Sequence, residues 1–285
     1  MSKSNHPFMQ LLVMLAITLG MLLLSVIIMM PFGIGGFSRN TMLWMQGITQ
    51  LLTFLLPVAL MTLIYYRGRQ REFCRLDFSG RKWLLGLAGV AVMLLLIPVI
   101  DWLTVWNDEW DLGRVGELLR SMQDSTEGIM DQMLAGDTVG TLLANLLVVA
   151  LIPAVCEEVF FRAGVQNLLQ RWFGNHHAAI WVTALLFSLG HGELFAFMPR
   201  FLMGAVLGYL YVYGGSIVPN VLAHFANNAL VVVIYWLVGR GVLDIDPEAP
   251  LRVGVLLTVC CTLAAAGVFW VTFLMRGRKG EDTAK

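Results

Sequence analysis

The chain has 285 residues, of which 58% are hydrophobic and only 13% charged, against roughly 45–50% and 25% in an average soluble domain. A soluble core of this size cannot enclose so much apolar surface, so lipid is the expected outer solvent. The net charge is zero, which gives no ground for a nucleic-acid or acidic partner, and the four cysteines form neither C-x-x-C metal spacing nor a disulfide framework.

Taken in chain order, the first apolar run, 8–30, is longer than the roughly 7–15 residues of a signal-peptide core, and no small-residue cleavage site follows it. It reads as a first membrane span. A second span covers 44–66. The loop after it carries Arg67, Arg69, Arg71, Arg75, Arg81 and Lys82 against only Glu72 and Asp77, so it belongs on the cytoplasmic side. A third span covers 83–105. The segment 107–138 then holds eight acidic residues and two arginines, which places it outside. Within it Val115, Leu118, Leu119 and Met122 recur with helical spacing, as expected of an amphipathic helix lying on the membrane surface or covering the bundle.

Further apolar runs cover 139–169, 178–191, 200–213, 216–238 and 251–275. The fifth and sixth are short and suit a packed interior. Gly204 and Gly208 give the sixth a small-xxx-small face for close helix approach. The tail adds Arg276, Arg278, Lys279 and Lys285, a second cytoplasmic signal. Cys156 and the pair Cys260–Cys261 lie in apolar runs and read as buried, inert thiols. The expected fold class is all-α: one membrane-embedded domain over 1–285, a polytopic bundle of about eight transmembrane helices. Both termini fall in the cytoplasm, and the cell membrane is the expected location.

Ionisable groups inside spans cost several kcal/mol each and are functional hypotheses by default. Here they fall at three places: Glu157, Glu158 and Arg162 in span four, His191 at the end of span five, and His224 with Asn228 in span seven. Glu158 and Arg162 are four apart in the favourable order for a helical ion pair. Two carboxylates and one guanidinium leave Glu157 unneutralised, in keeping with a general base. Counted from the cytoplasmic ends of their spans at about 1.5 Å per residue, Glu157, His191 and His224 all lie about 12–20 Å deep. Groups at one depth on three helices can converge on one cavity. His224 and Asn228 share a helix face, so imidazole and amide can serve as two donors for a developing oxyanion or as a metal ligand and its neighbour.

At these places the chain resembles the CAAX protease and bacteriocin-processing (CPBP, or Abi) family of intramembrane endopeptidases, whose pattern is E-E-x-x-x-R, F-x-x-x-H and H-x-x-x-N or H-x-x-x-D. Glu157-Glu158 with Arg162, Phe187 with His191, and His224 with Asn228 stand in that order, inside a motif core of about 139–238. The resemblance implies an eight-helix bundle in which Glu157 activates water, helped by His191. Glu158 and Arg162 are the supporting pair, and His224 and Asn228 stabilise the tetrahedral intermediate. It leaves open a divalent metal such as zinc, for which His191, His224 and Glu157 would be the ligands. The H-E-x-x-H arrangement of familiar zinc proteases is missing.

The expected partners are a peptide or protein substrate, reaching the site from the membrane or the cytoplasmic side, and the bilayer itself. Two other readings compete. Intramembrane Glu and His also build proton relays in carriers, and a catalytically silent scaffold or immunity protein can keep the same fold.

Overall fold

A computed structural model describes residues 6–30, 37–247 and 249–274, and all regular structure among them is helical. The basic tail Arg276, Arg278, Lys279 and Lys285 lies outside the described residues. In chain order the helices are α1 (Pro7–Met29), α2 (Arg39–Tyr65), α3 (Gln70–Phe73), α4 (Gly80–Leu95), α5 (Ile97–Asp108), α6 (Gly113–Leu134), α7 (Val139–Phe173), α8 (His176–Gly190), α9 (Phe197–Gly214), α10 (Val218–Gly239) and α11 (Val255–Phe273).

Each of the eight apolar runs coincides with one of these helices or with the pair α4–α5. Six helical stretches are long and apolar enough to cross a membrane, seven if the bent pair is one span. The remaining run is α8, whose 15 residues rise about 22 Å against a hydrocarbon core of about 30 Å. The sixth run proves longer than its sequence reading, because a short helical lead-in extends it to Leu194–Gly214. Span three is not straight. It bends by 44° between α4 and α5, where Pro98 can neither donate to the preceding turn nor fit under its carbonyl. Lipid-facing surface is plain on α1, where Leu19, Leu23 and Ile27 are 59%, 58% and 62% exposed, a density of bare aliphatic side chains that water does not tolerate.

The described residues group into two compact units, each assembled from three separate stretches of chain. The first comprises residues up to Leu76, Ile129–Ala179 and Asn228–Pro247. There α1 packs along the second half of α2 and the end of α7. Gly164 makes this possible, because a Cβ at that position would lie 2.9 Å from Met14 Sδ and 3.1 Å from Val58 Cγ2. One end of the unit is laced by Tyr66, which donates to Gln10 Oε1 at 2.8 Å, and by Asn167, which donates to the Phe73 carbonyl at 2.8 Å. The other is held by Arg39, which donates to the Met133 carbonyl at 3.0 Å and to Asn145 Oδ1 at 2.7 Å. Cys74 is buried beside α3, and burial pushes its thiol up to about 11.

The second unit comprises Asp77–Gly128, Ile180–Asn227 and Glu248 onward. In it α11 lies along α4, and α5 lies along α9. Gly86 and Gly89 let α4 meet the start of α10: a Cβ on Gly86 would come within 2.3 Å of Leu222 Cδ1. Asn107 ties the α5 end to the lead-in of α9, donating to the Leu194 carbonyl at 3.0 Å and accepting from Met198 N–H at 2.7 Å. Four free thiols are present in the chain. The expectation of burial holds for Cys156 but not for Cys260, which is exposed because α11 turns most of its surface outward.

The acidic segment does contain the amphipathic helix, α6. Its apolar stripe, however, points away from the protein: Val115, Leu118 and Met122 are 65%, 62% and 57% exposed. What fastens α6 in the second unit is Arg120, bonded to Asp108 Oδ1 at 2.7 Å and set 3.9 Å over the Phe195 ring.

Candidate active site

The carboxylates sit in α7, a helix of unusual register. A π-helical turn at Leu146–Leu151 precedes Ile152–Glu158, and a second covers Val159–Gln166. The first turn ends two residues before Pro153, and the same arrangement recurs in α2, where the π-helical turn Leu51–Leu55 ends two residues before Pro57. In both, the amide after the turn bonds five residues back, Leu56 to Leu51 and Ile152 to Leu147. The wider turn relieves the clash a proline ring makes with the carbonyl four residues before it. Such turns concentrate at functional positions, and here they flank Glu157 and Glu158.

Glu158 and Arg162 are completely buried, and Arg162 Nε donates to Glu158 Oε2 at 3.0 Å. The pair expected from the four-residue spacing is therefore present, and it lies within one helix. Glu157 is 7% exposed. The sequence reading left it without a partner. Instead Gln50 of α2 donates from Nε2 to Glu157 Oε1 at 3.2 Å. Gly47, one turn earlier, brings α2 against Val148 and Ile152, each 3.9 Å from where a Cβ would stand. Gln50 was missed because it belongs to no motif and carries no charge. A glutamine within an apolar span was the available signal.

The histidines belong to the second unit and are organised by Phe187. This ring is fully buried, with centroid distances of 4.7 Å to His191 and 6.0 Å to His224. Gly204 of α9 closes on it, since a Cβ there would lie 3.2 Å from Phe187 Cδ1 and 3.1 Å from Ala184 Cα. The small-residue face of the sixth run thus seats the phenylalanine that spaces the two imidazoles. His191 lies just beyond the end of α8, in a turn closed by Gly192 at φ +73°. Its Nδ1 stands 2.7 Å from the Phe187 carbonyl. A carbonyl oxygen only accepts, so Nδ1 carries the proton, and in the neutral ring Nε2 is the basic nitrogen. The contact also satisfies one of the carbonyls that a helix end leaves over.

His224 is 2% exposed. It shares α10 with Asn228, one helical turn further on. Beside the His191 turn lies a cavity of about 160 Å³ lined by Leu119, Ser188, Leu189, Gly192, Glu193 and Phe197 among others, and Glu193 is paired there with Arg200.

For a metal, the donor set is tested by its grouping. Among the described residues no three or more His, Cys, Asp or Glu side chains stand together in a way that could hold an ion.

No match is found among curated proteins or solved structures. Residues 139–230 match the family described as "Type II CAAX prenyl endopeptidase Rce1-like". That stretch, about a third of the chain, contains Glu157, Glu158, Arg162, Phe187, His191, His224 and Asn228, so the similarity to that family covers every residue of the three motifs.

Proposed function

We propose that the protein is an intramembrane endopeptidase that hydrolyses a peptide bond with water activated by Glu157. The observation that carries this reading is the buried trio of Glu157, Glu158 and Arg162 inside a span whose helical register is broken on both sides. Arg162 Nε pairs with Glu158 at 3.0 Å, and Glu157 is a second buried acid next to that pair in the chain. A purely structural ion pair has no use for the second acid.

In the proposed reaction Glu157 accepts a proton from water as the water oxygen attacks the scissile carbonyl carbon. His191, presenting its basic Nε2, helps to hold that water. The carbonyl oxygen becomes an oxyanion, which the His224 imidazole and the Asn228 amide stabilise as donors. The protonated Glu157 then gives its proton to the leaving amine nitrogen as the C–N bond breaks, and the carboxylate is restored. Arg162 pairs with Glu158 and holds the helix turn that carries Glu157 in place. The family match supports a peptide substrate of the CAAX type, met within the bilayer.

Comparison of peptides from membranes containing wild-type protein or Glu157→Gln tests this. The variant is expected to fold and bind substrate while losing turnover, because only proton acceptance is removed. Identical peptide sets from the two membranes would sink the endopeptidase reading, leaving a carrier or a silent scaffold.

A further inference from the structure

Gln50 is 8% exposed, lies in the middle of an apolar helix, and donates its amide N–H to Glu157 Oε1 at 3.2 Å. A leucine would fill that space without desolvating an amide. The orientation of the amide follows from its partner: turned the other way, the carbonyl oxygen would face a carboxylate. Among the described residues Gln50 Oε1 has no hydrogen-bond partner. The π-helical turn begins at the next residue, Leu51, so the backbone carrying this amide is itself set by Pro57.

We propose that Gln50 is a positioning residue for Glu157. Its N–H occupies Oε1 and fixes the rotation of the carboxylate, so that Oε2 receives the proton of the attacking water. The proposal rests on the reading of Glu157 as the base. It adds a residue that the three motifs do not contain, from a helix outside the stretch matched to the family.

The test uses purified full-length protein in lipid vesicles and Gln50→Met, which keeps the length of the side chain and removes the donor. Turnover is followed on a quenched fluorogenic peptide ending in an S-farnesyl Cys-a-a-X sequence. The kcat is expected to fall about 10–100-fold, the loss for a hydrogen bond to a charged group, while KM stays within about twofold. In parallel, the infrared carboxylate stretch assigned to Glu157 by its disappearance in Glu157→Gln should move in Gln50→Met. An unmoved band overturns the proposal whatever the activity. So does a raised KM at unchanged kcat, or an unchanged kcat in Gln50→Met when Glu157→Gln is inactive. Aggregation of both Gln50→Met and Gln50→Leu would assign the contact to folding and overturn it too. Full turnover by Glu157→Gln would instead remove Glu157 as the base, while the infrared comparison still decides whether Gln50 holds its carboxylate.

Discussion

Replacing Arg162 by methionine removes a charge from the most enclosed ion pair in the first unit while keeping most of the volume. Both partners are 0% exposed, and the Nε–Oε2 distance is 3.0 Å. Stranding one member of such a pair costs ~3–5 kcal/mol, equivalent to about 10²–10⁴ in the folded-to-unfolded ratio. For a chain of this size that corresponds to a drop in Tm of roughly 6–20 °C. Glu157→Gln sets the scale for comparison. It acts on the contact with the neutral Gln50, and exchanging one hydrogen bond there is worth only about 1 kcal/mol. The double variant Glu158→Met with Arg162→Met leaves no stranded charge and should recover most of the loss, since apolar replacements of buried pairs are often neutral. Fluorescence-detected size exclusion after a heating series, on protein purified in detergent, reads all three. If Arg162→Met melts no lower than Glu157→Gln, the division between a supporting pair and a chemical carboxylate is wrong.

Two other outcomes are expected. Asp124→Cys, placed on α6 in a cysteine-free background, should react with an impermeant maleimide from outside; labelling from the cytoplasm alone would refute the charge-based topology. Dialysis against a strong chelator should leave turnover unchanged, while His224→Ala should slow it by about 10²–10³, the usual loss for one oxyanion donor; stoichiometric zinc in active purified protein would refute the metal-free mechanism.

The spans were legible because lipid demands long, unbroken apolar runs, and each such run in the sequence is a helix or, for the third, a bent helix pair. The Glu158–Arg162 contact was legible because it is local, four residues apart on one helix. Gln50 was not, because its partner is 107 residues away and neither helical period nor charge marks the pairing. The bend after Leu95 had a visible cause in Pro98, yet apolar composition alone runs straight through it. The sixth run was read short because it was started at Arg200, whereas in the structure Arg200 is neutralised by Glu193 and the helical stretch reaches back to Leu194. The outward stripe of α6 had the right period, but periodicity does not say whether protein or lipid receives the apolar side.

The π-helical turns in α7 bear on how relatives of this chain should be lined up. Such a turn is one residue inserted into an α-helix, and it rotates everything beyond it by about 100°. The bearing of Glu157 toward Gln50 therefore depends on a residue that contributes nothing by its side chain, somewhere in Leu146–Leu151. A relative lacking one residue there would keep an unbroken helix and every motif letter, yet aim its first glutamate elsewhere. A single-residue gap between the start of α7 and the glutamates is thus a change of address for the carboxylate, and spacing to the N-terminal side of Glu157 carries as much information as the motif itself.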